Sequence, residues 1–187
     1  MNRTQRAQLM ATVLATGGIG TYLGLITGAV PVDLGVGRRT RLLGPQVYEI
    51  GAPRELVFDI IAAPYGERTT RAMQEKVQVL ERGDDMVLAA HRTPLRGRLV
   101  ATTVETVKFT RPERIDFRLV RGPVPHVVET FRLDEYDGGT VLTYDGELGT
   151  DLWGLGERWG DLVTGSWEHT VRTSLKSVQA EAERRAT

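Results

Sequence analysis

The chain has 187 residues, with 24 basic and 24 acidic side chains that leave no net charge at pH 7. This balance argues against nucleic acid as the main partner, because phosphate binding requires a basic surface. The chain has no cysteine, which excludes disulfides and thiolate metal sites, and its three histidines are too widely spaced for a metal-binding motif. We therefore predict neither a metal nor a cofactor.

An uncharged run covers residues 7–32 and follows two arginines near the N-terminus. A helix that rises about 1.5 Å per residue over this run is long enough to cross a hydrocarbon core of about 30 Å. We predict a single-pass transmembrane anchor over residues 1–32. The three arginines that follow the run favour a cytoplasmic position for the rest of the chain.

Two alternatives concern the same run. A cleaved secretory signal peptide also begins with a basic end and an apolar stretch, and residues 27–29 have the small side chains of a cleavage site. Gly20, Gly24 and Gly28 recur every fourth residue, and such a stripe lets two helices approach closely in lipid. The stripe predicts a homodimer within the membrane, although it can also reflect small side-chain volume alone.

Residues 33–44 are predicted to form a linker, because their glycines break any regular pattern. Arg38, Arg39 and Arg41 lie in this segment and can contact anionic lipid headgroups, or they can simply keep the linker in water. Residues 45–187 then form one domain, whose size is sufficient to enclose a core.

The domain begins with a predicted strand at residues 46–50 and a helix at residues 54–61. Six strand-like runs follow, separated by turns rich in Gly, Pro and Asp, over residues 75–81, 86–91, 98–109, 115–120, 126–136 and 140–148. Because the connections are too short for parallel crossovers, these runs predict an antiparallel meander.

A long helical pattern from residue 151 to about residue 184 ends the chain. It has apolar residues at three- and four-residue spacings, namely Leu155, Trp159, Leu162, Val163, Trp167, Val171, Leu175 and Val178. The sheet must cover this stripe, which predicts an α+β fold. We expect a curved antiparallel sheet of about seven strands, wrapped around the C-terminal helix and enclosing a cavity.

Three features resemble the START-like superfamily, also called the Bet v 1-like or polyketide cyclase/dehydrase group. They are residues 49–59 (EIGAPRELVFD), residues 111–117 (RPERIDF) and the amphipathic C-terminal helix. The resemblance covers the domain and implies a helix-grip fold with a deep cavity for lipids, quinones, polyketides or other apolar molecules. In some branches it also implies cyclisation or dehydration chemistry.

Glu129 is the strongest candidate for a functional residue. Strand alternation places it on one face with Val127, Phe131 and Leu133, so a carboxylate would face an apolar interior. Desolvation there would raise its pKa and suit it to proton transfer or to holding a ligand hydroxyl. The alternative is a structural ion pair with an arginine of a neighbouring strand, such as Arg118.

Further side chains are predicted to line the same cavity. With Glu129, the predicted ligand-binding residues are Phe131, Tyr144, Trp159, Val163 and Trp167. Buried tyrosines and tryptophans at such spacings are more often plain core residues, and this alternative stays open. His91 and His126 stand at strand ends and can border the cavity mouth, or lie on the surface.

These observations predict membrane-tethered binding of a hydrophobic small molecule or lipid, as a carrier, sensor or chaperone. A polyketide cyclase/dehydratase-like enzyme, using Glu129 for proton transfer with Tyr144 or a histidine, is the alternative. A third possibility is an interaction protein with a filled core. No catalytic residue and no particular ligand is assigned by the sequence.

Overall fold

The computed structural model describes residues 20–67, 69–94 and 99–187. Within these residues seven strands form one antiparallel sheet: β1 Arg39–Ile50, β2 Val77–Arg82, β3 Met86–Pro94, β4 Val100–Thr110, β5 Arg114–Arg121, β6 His126–Tyr136 and β7 Gly139–Thr150. Their order is β1-β7-β6-β5-β4-β3-β2. The predicted antiparallel meander is confirmed, and β1 closes it by pairing with β7.

The helices are α1 Arg54–Ala62, a 3-10 turn Ala63–Tyr65, α2 Arg71–Lys76 and the long C-terminal α3 Trp153–Ala186. Helix α3 packs chiefly against β1, β7 and α1, which gives the predicted α+β helix-grip arrangement. The predicted strand at residues 75–81 begins later than expected, because residues 71–76 form helix α2. The Thr70 hydroxyl accepts a hydrogen bond from the Met73 amide at the start of this helix, and β2 follows from Val77.

The buried stripe of α3 differs from the predicted one at its beginning. Leu155 and Leu162 are 70% and 56% exposed. Gly156 and Gly160 are buried in their place, and a Cβ at position 160 would lie 2.9 Å from the Arg41 guanidinium. Glycine therefore lets the helix lie close over β1, which three- and four-residue spacing alone does not reveal.

The predicted linker is shorter than residues 33–44, because β1 already begins at Arg39. Residues 39–43 pair with β7 from Thr150 to Gly146. The arginines are held by acidic side chains: Arg38 by Asp33 and Asp151, Arg39 by Glu157 at 2.6 Å, and Arg41 by Asp161. Half of the expected linker is therefore part of the sheet, where it pairs with β7 and its arginines form ion pairs with residues more than a hundred positions away.

The N-terminal segment, defined here as residues 20–30, packs on the domain. It is helical over residues 20–26, and the Thr27 carbonyl accepts the Thr102 amide of β4 at 2.9 Å. Gly28 follows the helix at φ 70° and touches Thr102 and Gly122. The Tyr22 ring meets the Trp159 ring edge to face, with centroids 6.1 Å apart.

Most of the uncharged run lies outside the described residues. Within the described ranges, no helix is both long and apolar enough to span a membrane. The anchor over residues 1–32 therefore stays a prediction, as does the homodimer through Gly20, Gly24 and Gly28. Of these three glycines, Gly28 is buried against its own domain rather than lying on the helix.

Candidate functional site

Glu129 lies on the inner face of the sheet, beneath α3, and is only 5% exposed. Its neighbours across the sheet are Phe117 on β5 and Gly146 on β7. A Cβ at position 146 would lie 2.3 Å from the Val128 carbonyl oxygen and 3.2 Å from Glu129 Cγ. The glycine therefore gives the carboxyl group room to lie flat against the sheet.

One oxygen of Glu129 receives two hydrogen bonds. The Tyr144 hydroxyl donates to Oε1 at 2.6 Å, and the Trp167 indole N–H donates to the same atom at 2.7 Å. Tyr144 is fully buried on β7, and Trp167 reaches down from α3. Oε2 accepts no hydrogen bond from the described residues, so this oxygen is free to meet a ligand.

Burial raises the pKa of Glu129 to about 7, and the negative charge of Glu105 adds to this rise. The hydrogen bonds from Tyr144 and Trp167 and the nearby His91 act in the opposite direction but do not offset the desolvation. Near neutral pH the carboxyl group therefore exists in both protonation states. It can donate a proton or accept one.

A second polar group occupies the inner face towards β3 and β4. The Tyr65 hydroxyl lies 2.9 Å from His91 Nε2, and His91 Nδ1 lies 3.2 Å from Glu105 Oε2 without the alignment of a hydrogen bond. Glu105 is 6% exposed. Burial raises the pKa of Tyr65, and the charges of Glu105 and Glu129 raise it further, so this hydroxyl stays protonated.

The structure brings four of the six predicted ligand residues together. Phe131 packs on Tyr144 with ring centroids 5.6 Å apart, next to Glu129 and Trp167. Val163 is buried on α3, and Trp159 lies nearer the helix start, where its indole donates to the Pro123 carbonyl at 2.8 Å. A ligand-binding role for these six residues remains a prediction.

The ion pair of Glu129 with Arg118 is absent. Arg118 pairs in register with Val128 on the outer face and is exposed. His126 lies 2.7 Å from Glu147 through Nε2, away from the inner face, and His169 is exposed. Among the histidines, His91 alone joins the inner polar side chains of the described residues.

Sequence reasoning missed Glu105 and Tyr65. Glu105 alternates with Val107 and Phe109 on β4 as Glu129 alternates with Val127 and Phe131 on β6, so the same signal points to it. Tyr65 lies in the 3-10 turn, where no periodicity marks a facing direction. Within the described ranges, no group of three or more acidic or histidine side chains is arranged to hold a metal ion.

The interior is not uniformly packed. On β6 and β7 it is filled by fully buried side chains, including Leu133, Leu142 and Leu148. Other inner side chains are half-buried, namely Thr103 on β4, Leu119 on β5, Phe131 on β6, and Trp159 and Trp167 on α3. Two depressions of about 520 and 530 Å³ lie elsewhere, at the start of α3 and on the outer face around Lys108.

No protein-family model matches the chain, and no curated protein sequence matches it either. Solved structures do match. The Zhui aromatase/cyclase from Streptomyces sp. R1128 superposes with a TM-score of 0.64 at 20% identity, over 80% of this chain and 96% of that one. TTHA0849 from Thermus thermophilus gives a TM-score of 0.57 at 15% identity, over 80% and 98% of the two chains.

A third match is the di-domain aromatase/cyclase StfQ of the steffimycin pathway, with a TM-score of 0.60 at 14% identity, over 80% of this chain and 52% of that one. At these identities the similarity concerns the fold. The helix-grip fold that the sequence resemblance implies is thereby confirmed, and the chemistry must be argued from the side chains.

Proposed function

We propose that this chain binds a hydrophobic small molecule bearing a hydroxyl or carbonyl group, between the sheet and α3. The observation that carries the proposal is the Glu129 carboxyl group, buried under α3 with Oε1 held by Tyr144 and Trp167 and Oε2 free of hydrogen bonds from the described residues. A buried carboxyl group with one unused oxygen is a polar anchor within apolar surroundings.

The surroundings fit such a ligand. The half-buried Phe131 and Trp167 offer aromatic surface beside the anchor, and each Å² of apolar area removed from water contributes about 25 cal/mol. The ionised Glu129 accepts a hydrogen bond from a ligand hydroxyl, and the neutral form donates one to a carbonyl. Structural similarity to aromatase/cyclases supports the proposal at the level of fold.

Such binding would serve a carrier, sensor or chaperone role. The uncharged run at residues 7–32 tethers the domain to a membrane in this proposal, and because residues 20–30 pack on the domain, the part that enters the bilayer precedes residue 20. The membrane then supplies a ligand that is poorly soluble in water. The tether and the binding site are separate claims, and each has its own test.

The binding claim is tested with two probes that differ in one hydroxyl group, 1-naphthol and naphthalene. Each is titrated into the full chain in detergent, and the NMR signal of the Trp167 indole N–H reports on the site. We expect both probes to shift this signal, with tighter binding of 1-naphthol because its hydroxyl can reach Glu129 Oε2.

A Glu129→Gln variant should reduce the preference for 1-naphthol over naphthalene. Glu81→Gln, an exposed carboxylate on β2, is the matched control and should bind both probes as the unmodified chain does. If neither probe shifts the Trp167 signal beyond a detergent blank, the interior takes up no such molecule and the proposal fails.

A second candidate is a cyclase/dehydratase-like enzyme, favoured by the pKa of about 7 at Glu129 and by the second polar group at His91 and Glu105. A carboxylate of raised pKa is a competent general base near neutral pH. Its substrate would be an apolar molecule with an acidic C–H group. Glu129 would accept the proton, and Tyr144 or His91 would stabilise the negative charge that develops on the substrate.

The probe 5-nitrobenzisoxazole tests this candidate without a known substrate. Removal of its ring C–H proton by a base breaks the N–O bond and gives a nitrile and a phenoxide, whose absorbance is measured. We expect turnover that rises with pH through about 7, as Glu129 ionises, and that Glu129→Gln abolishes while Glu81→Gln retains it. Equal rates in all three proteins would exclude Glu129 as a base.

A further inference from the structure

Four large apolar side chains are exposed on two backbone segments that meet at the start of α3. They are Leu34, Val36, Trp153 and Leu155, exposed by 57%, 47%, 55% and 70%, and we call them the apolar face. Backbone hydrogen bonds hold them together: Leu152 N donates to the Val36 carbonyl at 2.8 Å, and Trp153 N donates to the Gly37 carbonyl at 3.0 Å. Contiguous exposed apolar surface marks an interaction site.

The backbone that displays Trp153 is strained. Leu152 and Trp153 have φ values of 69° and 47°, a left-handed conformation that is unfavourable for non-glycine residues. The Trp153 ring lies directly on Gly37, where a Cβ would come within 2.3 Å of Trp153 Cδ2. The strained backbone therefore holds the indole of Trp153 against Gly37, while more than half of this residue remains exposed to solvent.

Three of the four arginines near the apolar face are paired within the chain, whereas Arg158, exposed beside Leu155, has no ion pair among the described residues. Arg38 binds the buried Asp151 at 2.8 Å, Arg39 binds Glu157 at 2.6 Å, and Arg41 binds Asp161. Anionic headgroups would have to compete with these carboxylates. The surface is thus suited to apolar contact, and tryptophan is the side chain that prefers the boundary between water and lipid.

The apolar face continues the uncharged run. Leu34 stands two residues after its end at residue 32, and the run does not leave the domain freely, because Thr27 and Gly28 are fixed against Thr102 and Gly122. The last part of the run and the apolar face therefore keep a fixed relation to each other. A bilayer that holds the part of the run before residue 20 must therefore lie close to this side of the domain.

We propose that the apolar face rests on the surface of a lipid bilayer, with Trp153 at the level of the headgroups. This inference rests on the membrane tether of the proposed function, and its test separates the two.

The test uses the full chain reconstituted into phosphatidylcholine vesicles whose acyl chains carry bromine near the headgroup. Bromine quenches tryptophan only at short range. We expect strong quenching in the unmodified chain and loss of most of it in Trp153→Phe. Trp167→Phe, which removes an indole held beneath α3, should leave the quenching in place.

A second pair of variants leaves all indoles intact. Leu155→Ser should lower the quenching of Trp153, whereas Tyr136→Ser should not, although Tyr136 is 66% exposed. Tyr136 pairs with Gly139 at the β6–β7 turn, at the opposite end of β7 from Thr150. Because three of the four nearby arginines are paired with carboxylates, adding phosphatidylglycerol to the vesicles should change the quenching little.

Three outcomes would overturn the inference. A chain that fails to float with vesicles disproves both the tether and the docking of the apolar face. Flotation with equal quenching in the unmodified chain and in Trp153→Phe keeps the tether and disproves the docking. Protection of Trp153 from both brominated lipid and aqueous acrylamide, with a doubled mass, would assign the apolar face to a second copy of the chain.

Discussion

Trp167 on α3 and Glu129 on β6 are joined across the interface of helix and sheet by a hydrogen bond of 2.7 Å from the indole N–H to Oε1. Tyr144 donates to the same oxygen at 2.6 Å. Because both donors occupy Oε1, the proton of the neutral carboxyl group belongs on Oε2. The helix thereby fixes which oxygen of Glu129 is available for chemistry.

Replacing Trp167 by Phe should raise the pKa of Glu129 above about 7. The Trp167 hydrogen bond stabilises the ionised carboxylate, and the variant lacks it. The measurement is the chemical shift of the Glu129 carboxyl carbon, followed by NMR as a function of pH. Trp159→Phe is the control, since that indole donates to the Pro123 carbonyl instead. A pKa that moves equally in both variants would show that indole volume matters rather than the hydrogen bond.

The stability of the chain should fall as pH rises through the range in which Glu129 ionises. Its pKa is about 7 when folded and 4.5 ordinarily, so the folded state binds the proton more tightly between these values. Each unit of pKa difference corresponds to about 1.4 kcal/mol, which makes the loss on the order of 3 kcal/mol above neutral pH. Urea unfolding at about pH 5 and pH 8 measures it.

Glu129→Gln should remove this loss, because the amide does not ionise. Glu105 and His91 also face Glu129 and are unchanged in the variant. Glu81→Gln, exposed on β2, should unfold with the same pH dependence as the unmodified chain. If the free energy of unfolding of Glu129→Gln falls between pH 5 and pH 8 as much as that of the unmodified chain, Glu129 is already ionised at pH 5.

The antiparallel meander could be predicted because strand alternation and turn residues are local signals, whereas the pairing of β1 with β7 is a long-range contact that they do not reveal. Alternation also identified the inward direction of Glu129 and Tyr144, which share a face with apolar neighbours. Helical spacing placed Trp167 on the stripe beneath which they lie. The general position of the site thus follows from periods of two and 3.6 residues.

The remaining differences come from contacts between distant parts of the chain. Residues 39–44 look like a linker until Arg39 and Arg41 are seen to pair with Glu157 and Asp161 on α3. Leu155 fits the apolar spacing of α3 but is exposed, because Gly156 and Gly160 form the actual contact. Local periodicity carries no information about which partner a side chain finds.

Replacing Gly28 by Ala should detach the N-terminal segment. The new Cβ would lie 2.4 Å from the Thr102 carbonyl oxygen, at a φ of 70° that costs a non-glycine residue roughly 1–2 kcal/mol. Hydrogen exchange of the Thr102 amide measures the effect, because this amide donates to the Thr27 carbonyl and should exchange faster.

Gly35→Ala separates the two causes. Gly35 has a φ of 64° but nothing within 4 Å of its added Cβ, so it bears the backbone cost alone. In the Gly35→Ala variant, hydrogen exchange of the Thr102 amide should be as slow as in the unmodified chain. Equal protection of Thr102 in Gly28→Ala would show that the segment can shift without losing its hold on β4.

Asp151→Asn should destabilise the junction between the N-terminal part and α3. The buried carboxylate accepts hydrogen bonds from Leu34 N at 2.7 Å, Gly35 N at 2.8 Å and Arg38 Nε at 2.8 Å. Hydrogen bonds to a charged group contribute about 1.5–3 kcal/mol each, and an amide reproduces them poorly. Urea unfolding at neutral pH should show the loss.

The pH dependence of this loss follows from the pKa of Asp151, which the Arg38 hydrogen bond holds below its ordinary 3.8. A lowered pKa means that the stabilisation is complete above 3.8 and disappears as the carboxylate is protonated in acid. The gap between the unmodified chain and Asp151→Asn should therefore narrow in acid. Asp161→Asn removes a 71% exposed partner of Arg41 and should cost no more than about 1 kcal/mol; a larger cost than that of Asp151→Asn would place the junction at Arg41 instead.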